Sequence, residues 1–203
     1  MREASVLREE NTEKGGQIHS TAVLKPFIEE MQPHSKSYIL DLGCVDDSNI
    51  EFFIRLGCKI FVEDFLSANV RARANGTGEI SVKDTQLDFE YPENFFDGIL
   101  LWDILDHFDI EQAELLVNNV WRTLKENGSV IALFRPPIRT PYNTITRYKI
   151  ISLNEIRYET LPLVTRRPFV IHSNGKIADL FSNFSSYNSY MLKNGWREII
   201  AKK

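Results

Sequence analysis

The sequence contains little cysteine and no long run of apolar residues. Its two cysteines, Cys44 and Cys58, have neither the number nor the spacing of a disulfide framework, a redox pair or a metal site. We expect both to be small buried hydrophobic residues. No apolar run approaches the roughly 20 residues that a membrane-spanning helix requires, and the first residues are charged where a signal peptide would be apolar. The sequence therefore predicts a soluble, cytoplasmic protein with no metal site and no membrane partner.

Charge is divided unevenly along the chain. Residues 1–134 carry 12 Lys and Arg against 24 Asp and Glu, a balance of −12. Residues 135–203 carry 12 against 4, a balance of +8, and the two balances add to the net charge of −4. The basic third either attracts an anionic partner or docks on the acidic two thirds of its own chain. We favour the second interpretation.

The clearest pattern in the chain is a strand, a helix and a second strand at residues 37–64. Two short apolar runs, 38–42 and 59–63, are typical of buried parallel strands. Between them, Ser48 and Glu51 form a capping-box pattern, and Gly57 is placed to end the helix in a left-handed conformation. In such a unit the loop after the first strand approaches a nucleoside ligand, and an acid at the end of the second strand binds the ribose. Asp64 is in the position of that acid.

This unit resembles the start of the class I S-adenosylmethionine-dependent methyltransferases. Leu-Asp-Leu-Gly-Cys at 40–44 is similar to the opening of the family's first motif, and Asp64 follows Asp41 at the spacing of the family's ribose-binding acid. The resemblance implies S-adenosylmethionine as the cofactor, held by Asp41, Gly43, Cys44 and Asp64. It also implies an α/β fold, a Rossmann-like doubly wound sheet of seven strands that is mostly parallel and closes with an antiparallel C-terminal hairpin.

The resemblance is incomplete in the glycine-rich loop. Val45 and Asp47 stand where the family has its second and third glycines. A β-branched residue resists positive φ, so Val45 would cost about 1–3 kcal/mol if the glycine backbone were kept. Asp46 and Asp47 favour the helix dipole but would repel the carboxylate of the cofactor. An altered loop path would still seat the methionine end of the cofactor through the backbone amides of Ser48 and Asn49.

A second resemblance lies at 96–108, Phe-Asp-Gly-Ile-Leu-Leu-Trp-Asp-Ile-Leu-Asp-His-Phe. This stretch is similar to the family's fourth strand, which runs from Phe-Asp to Asp-Val-Leu-Glu-His. Asp103, Asp106 and His107 fall at the carboxyl end of the predicted strand, where open α/β sheets bind ligands. His107 and Asp103 are therefore the candidate catalytic bases, and Asp103 is also a candidate for cofactor binding. The alternative is that Asp103 and His107 only hold each other and the strand end together.

A further acid follows the predicted third strand at 79–82. The family often has an acid at this point that contacts the adenine amino group, and Asp88 is the candidate because Phe89 beside it could pack against a base. A solvated loop acid is the alternative interpretation.

Helices are also predicted outside these motifs, among them the following two. Apolar residues recur at helical spacing over 19–31, where Pro26 would start or kink the helix. Asp109 with Gln112 predicts the cap of a second helix, which we expect to end at 127–128.

The C-terminal part predicts strands and hairpins. A fifth strand is expected at 129–134, and two hairpins are expected further on, one of 148–151 with 156–161 and one of 186–192 with 196–201. The last pair resembles the antiparallel end of the methyltransferase sheet. The chain would then comprise a flexible tail at 1–17 and a single domain at 18–203, with a hairpin inserted at about 135–174.

Two functions from different classes agree with these observations. The first is methyl transfer from S-adenosylmethionine to a small-molecule acceptor, in which the protein mainly positions the reactants. The second is a methyltransferase-like domain that has lost catalysis and serves as a binding or regulatory subunit, as the missing glycines indicate. A nicotinamide dehydrogenase is disfavoured because Gly-x-Gly-x-x-Gly is absent. Nucleic acid is not favoured as a partner because no nucleic-acid motif accompanies the basic residues, and the oligomeric state does not follow from the sequence.

Overall fold

The computed structural model describes residues 16–34, 36–64, 90–136, 144–162, 170 and 172–203. A turn of 3-10 helix over Ile104–His107 follows the fourth of nine strands in this part of the chain. In chain order the strands and α-helices are β1 (Gln17–Ser20), α1 (Leu24–Met31), β2 (Tyr38–Asp41), α2 (Asp47–Arg55), β3 (Lys59–Val62), β4 (Phe96–Trp102), α3 (Ile110–Thr123), β5 (Leu124–Phe134), β6 (Thr144–Ser152), β7 (Glu155–Pro162), α4 (Asn174–Leu180), β8 (Ser186–Met191) and β9 (Arg197–Lys202).

The main sheet has six described strands in the order β3-β2-β4-β5-β9-β8. β2 pairs in parallel with β3 and with β4, and β4 pairs in parallel with β5. β9 is antiparallel to both β5 and β8. The predicted α/β fold, with a parallel sheet closed by an antiparallel C-terminal hairpin, is confirmed. The expected third strand at 79–82 and Asp88 lie outside the described residues.

A second sheet of three strands has the order β1-β7-β6. β6 and β7 form the predicted hairpin, with Tyr148 opposite Tyr158. The helix expected over 19–31 is wrong in its first part, because Gln17–Ser20 forms β1 against β7 and the helix begins only at Leu24. Pro26 lies in the first turn of α1, where backbone N–H groups have no partner within the helix, so its lack of an N–H costs no helical hydrogen bond. Of the tail expected at 1–17, residues 1–15 lie outside the described part, and Gln17 begins β1.

Buried polar contacts join β1 to the main sheet. Glu198 of β9 is fully buried and accepts bonds from Ala22 N at 2.6 Å and Thr21 Oγ1 at 3.2 Å, and its other oxygen lies 3.1 Å from His19 Nε2. Asn194 presents Nδ2 to His19 Nδ1, because its Oδ1 accepts from Trp196 N. Nδ1 is then the acceptor, and the neutral Nε2–H tautomer of His19 satisfies both of its contacts. The buried carboxylate therefore has three donors.

The helix caps differ in part from the sequence pattern. α2 is capped by Asp46, which accepts from Ser48 N, so the cap predicted at Ser48 is wrong by two residues. Gly57 has φ +83°, which confirms the left-handed position after this helix. Asp109 and Gln112 form the expected capping box of α3. That helix ends at Thr123 and not at 127–128, because β5 begins at Leu124 opposite Phe96 before its register shifts.

Apolar residues cover both faces of the main sheet. One core lies between the sheet and the helices α3 and α4, and the other lies under α1, α2 and the β6–β7 hairpin. Gly98 of β4 lets α1 approach closely, since a Cβ there would lie 2.6 Å from Phe27 Cζ. Cys44 and Cys58 are buried, as expected. In the described part of the chain, no helix is long and apolar enough to cross a membrane.

Candidate active site

The first loop of the site is organised by the carboxyl group of Asp41, at the end of β2. Asp41 is buried, and its Oδ1 accepts from Gly43 N at 2.9 Å and from Trp102 Nε1 at 2.8 Å. Burial raises the pKa of Asp41 to about 6 against the opposing effect of these donors, and the nearby charge of Asp64 raises it further. The predicted cofactor residues Asp41, Gly43 and Asp64 are thus brought together at one end of the sheet.

Trp102, the last residue of β4, lies directly against this loop. A Cβ on Gly43 would be 2.4 Å from Trp102 Cδ1 and 2.9 Å from Nε1, so only glycine fits there. The indole stacks on Tyr148 with ring centroids 4.9 Å apart and planes 6° from parallel. Trp102 has φ +48°, a left-handed conformation that costs a bulky residue about 1–3 kcal/mol. Surrounding contacts therefore hold this side chain in a strained position.

The loop after Gly43 avoids the strain expected from its missing glycines. Among the described residues, positive φ occurs outside glycine only at Gln32, Asn94, Trp102 and Asn127. Val45 and Asp47 are therefore not in the left-handed region, and the Val45 side chain is exposed. The proposed use of the Ser48 and Asn49 amides is not supported in this conformation. Both amides already donate hydrogen bonds to Asp46: Ser48 N donates to its Oδ1 at 2.9 Å, and Asn49 N donates to its backbone carbonyl at 3.1 Å.

Asn49 connects this loop to the hairpin. It lies buried in the first turn of α2, donates from Nδ2 to Tyr148 O at 2.9 Å, and accepts from Ile150 N at 2.8 Å. Both backbone groups belong to β6. The hairpin is thereby fixed beside the first loop, which places Tyr148 on Trp102.

The acids at the end of β3 lie beside Asp41. Glu63 N donates to Asp41 O at 2.9 Å, and the Tyr91 hydroxyl donates to Glu63 Oε1 at 2.7 Å. Burial, followed by this bond to Glu63, raises the pKa of Tyr91 to about 12. Asp64 follows Glu63 and is half-buried. This position is the one a ribose-binding acid requires.

The end of β4 is joined to the end of β5 by Arg135. Its guanidinium pairs with Asp103 Oδ2 at 2.6 Å and contacts Thr146 Oγ1, and its backbone N donates to Asp106 Oδ2 at 2.8 Å. Burial raises the pKa of Asp106 well above its ordinary range, and the Asp103 charge adds to the effect. Asp103 is thus held by Arg135, a partner that neither interpretation of the sequence included.

His107 ends the 3-10 turn after β4, at the carboxyl edge of the sheet, and its side chain is buried. His172 approaches the same turn, with Nε2 3.0 Å from Leu105 O. The polar cluster expected at this end of β4 therefore exists. The catalytic role of His107 remains a prediction.

The sequence analysis missed three residues of the site, Trp102, Arg135 and Tyr148, and the side-chain contacts of Asn49. Trp102 ends β4 and Arg135 immediately follows β5, so the rule that identified Asp103 also applies to them. Asn49 and Tyr148 carry no local signal, because their contact joins segments that are distant in the chain.

Comparison with known proteins agrees with this geometry. Residues 40–132 match the family described as a methyltransferase domain. A comparison with curated proteins gives no match. Among solved structures, a protein from Pyrococcus horikoshii is similar with a TM-score of 0.56 at 13% identity, covering 88% of each chain.

Two further solved structures are similar. The 1,6-didemethyltoxoflavin-N1-methyltransferase of Burkholderia thailandensis, solved with its named substrate and S-adenosylhomocysteine, gives a TM-score of 0.55 at 15% identity and covers 90% of this chain and 78% of that one. A SAM-dependent methyltransferase from Archaeoglobus fulgidus gives 0.52 at 12% identity, covering 89% and 93%. The fold is therefore that of S-adenosylmethionine-dependent methyltransferases. Over residues 40–132, a little under half of the chain, the sequence is also similar to the methyltransferase domain family.

Proposed function

We propose that this protein transfers a methyl group from S-adenosylmethionine to a small-molecule acceptor. The observation that carries the proposal is the convergence of Asp41, Gly43 and Asp64 at the carboxyl ends of two neighbouring parallel strands. A nucleoside ligand of a doubly wound sheet binds at such a point. The similarity to an enzyme solved with a small-molecule substrate supports the acceptor class.

The proposed cofactor residues are those of the first loop and the strand ends. Asp64 would bind the ribose hydroxyls, and Gly43 with Cys44 would form the loop beside the cofactor. The carboxyl group of Asp41 would supply negative charge near a ligand that carries a sulfonium and an ammonium group, and Asp103 remains a proposed cofactor contact although Arg135 pairs with its carboxylate. Asp88 remains the proposed contact of the adenine. We also propose that residues 18–203 act as one domain.

The chemistry demands little of the protein beyond positioning. The sulfonium of the cofactor is already reactive, so the site must hold donor and acceptor in line. An acceptor that loses a proton needs a base, and His107 is the proposed candidate because its buried side chain follows β4 at the carboxyl edge of the sheet. Asp103 is the weaker candidate, because Arg135 already occupies its carboxylate.

Calorimetric titration with S-adenosylmethionine and S-adenosylhomocysteine tests the proposal. We expect the wild type to bind both, and Asp64→Ala to lose about 1–3 kcal/mol of binding free energy because a charge-assisted bond to ribose disappears. Glu51→Ala is the matched control, since it removes an exposed carboxylate from the same strand–helix–strand unit. Equal affinity of Asp64→Ala and the wild type would contradict the assignment.

The alternative is a methyltransferase-like binding or regulatory domain without catalysis. The specific observation in its favour is the Trp102 indole packed on Gly43. Val45→Gly/Asp47→Gly distinguishes the two functions. If the altered loop has closed the site, this variant gains cofactor binding that the wild type lacks. If none of the three proteins, the wild type, Asp64→Ala and the double glycine variant, binds the cofactor in the titration, the enzyme function is excluded.

A further inference from the structure

The first loop is already in contact with a side chain of the protein itself. In nucleoside-binding units of this type, a glycine after the first strand lets the backbone approach the ligand. Here the space in front of Gly43 is filled by Trp102, whose Cδ1 would lie 2.4 Å from an added Cβ. The indole N–H also donates to Asp41 Oδ1. Trp102 therefore makes the contacts with this loop that a bound ligand would need.

Trp102 is held in this position by its surroundings and not by its own backbone preference. Its φ of +48° is unfavourable for a bulky side chain. The bond to Asp41 and the stack on Tyr148 compensate for that strain. Strained residues that are fixed by several neighbours are found at ligand clamps and switches. A change that removes either contact weakens the hold on the indole.

The hydroxyl group of Tyr148, the other ring of the stack, is buried in an unfavourable environment. Tyr148 is 2% exposed, and its hydroxyl forms no hydrogen bond with the described part of the chain. Thr146 Oγ1, on the same strand, contacts the Arg135 guanidinium. A buried hydroxyl without a partner is unfavourable, so opening of the stack would let water or a ligand reach it. Strain at Trp102 and the enclosed hydroxyl of Tyr148 both favour opening.

We propose that Trp102 is a built-in plug of the cofactor site, stacked on Tyr148 in the closed state and displaced from Gly43 and Asp41 when the nucleoside ligand binds. This inference rests on the proposed function, because the plug occupies the same site. The affinity for the cofactor then includes the free energy of moving the indole. Trimming the indole should therefore strengthen binding.

The first test compares two replacements of Trp102 by titration with S-adenosylhomocysteine. Trp102→Gly accepts φ +48° without strain and leaves the loop open, whereas Trp102→Phe keeps a ring but has no N–H for Asp41. We expect Trp102→Gly to bind at least tenfold more tightly than the wild type, with Trp102→Phe between them. Trp121→Phe, which changes a partly exposed indole on α3, should bind like the wild type. Equal or weaker binding by Trp102→Gly overturns the plug.

The second test keeps Trp102 and does not depend on the folding of the glycine variant. In Trp121→Phe/Trp196→Phe, Trp102 is the only indole of the three in the sequence. As S-adenosylhomocysteine saturates this protein, the emission should shift to the red and acrylamide should quench it more strongly, because the indole leaves a buried stack. Unchanged emission at saturation overturns the plug.

The failure of the plug and the failure of the proposed function give different results. Wild-type binding without a gain in Trp102→Gly overturns the plug and leaves the methyltransferase proposal intact. If the wild type does not bind but Trp102→Gly does, the indole blocks the site and is not displaced by the ligand, which overturns the displacement and contradicts cofactor use by the native protein. If neither the wild type nor Trp102→Gly binds S-adenosylhomocysteine although both are folded, the plug and the methyltransferase proposal are both overturned.

Discussion

The carboxyl group of Asp41 links folding stability to the chemistry of the site. Its pKa rises from 3.8 to about 6, mainly because the group is buried. The folded protein then binds more protons than the unfolded chain between about pH 4 and pH 6. The free energy of unfolding therefore falls as the pH rises through this window and levels off above it. A shift of this size corresponds to about 3 kcal/mol.

Asp41→Asn should remove this pH dependence. The amide oxygen can accept the same bonds from Gly43 N and Trp102 Nε1, and it does not ionise. We expect the variant to gain about 2–3 kcal/mol relative to the wild type between pH 4 and pH 7. Urea denaturation at several pH values measures the difference in the free energy of unfolding between the two proteins. The titration of Asp106 cancels in this difference because both proteins contain it. Parallel curves for the two proteins would show that the Asp41 carboxyl is not responsible.

Residues of the site could be predicted where the signal is local. Asp41, Gly43 and Asp64 belong to one strand–helix–strand unit, so the resemblance of that unit to the methyltransferase motif predicted that they lie close together. Arg135 was counted only as part of a basic segment, because its pairing with Asp103 depends on how β4 and β5 end side by side. The stack of Trp102 on Tyr148 joins the parallel sheet to an inserted hairpin, and no local pattern specifies that contact.

At the scale of elements, the contact of α2 with β6 keeps the hairpin in place. Asn49 satisfies one backbone acceptor and one backbone donor of β6 from a buried position. An apolar replacement would leave both groups buried and unpaired, which is more costly than the loss of an exposed bond.

Asn49→Ala should therefore destabilise the protein by about 2–4 kcal/mol. Glu51→Ala on the same helix breaks only an exposed ion pair with Arg55 and should cost less than about 0.5 kcal/mol. Chemical denaturation of both variants gives the comparison. If Asn49→Ala costs no more than the control, the hairpin is held by its apolar face alone.

Element boundaries were harder to predict than the elements themselves. The helical spacing over 19–31 was interrupted because Gln17–Ser20 pairs with residues 155–158, far along the chain. Tertiary pairing overrides local preference in this way. Similarly, Leu124 starts β5 because Phe96 lies opposite it, although the local pattern extends the helix to 127–128. The strands 38–42 and 59–63 were predicted closely because each is a short apolar run, although only β2 is largely buried and β3 is half-buried at the described edge of the sheet.

Over the whole molecule, the basic third docks in part on the acidic two thirds. Arg135 pairs with Asp103, and Lys203 bonds Asn94 and the Leu124 carbonyl. Arg197 lowers the pKa of Asp106 through its charge, although burial dominates the shift. The Arg135–Asp103 pair and the Arg197 charge near Asp106 support the interpretation that the two charge regions complement each other, whereas the partners of Lys203 are neutral.

The protein should accordingly pass through a heparin column at about 150 mM salt as a monodisperse species. Screening over about 8 Å leaves only close charge contacts effective, and the net charge is −4. Retention on the column would instead indicate an anionic partner. In that case Lys149→Ser/Arg157→Ser is the informative variant, because these two cations face each other across β6 and β7.

The position of β9 also determines when the fold can be completed. β9 is the last of the described strands in chain order, yet it lies between β5 and β8 in the sheet. During synthesis, β8 leaves the ribosome before any neighbour in the main sheet is available to it. The contacts of Glu198 with the segment at 19–22 also cannot form until β9 has been synthesised. A nascent chain that has not yet made β9 should therefore expose the edge of β5 and depend on chaperones until β9 is available.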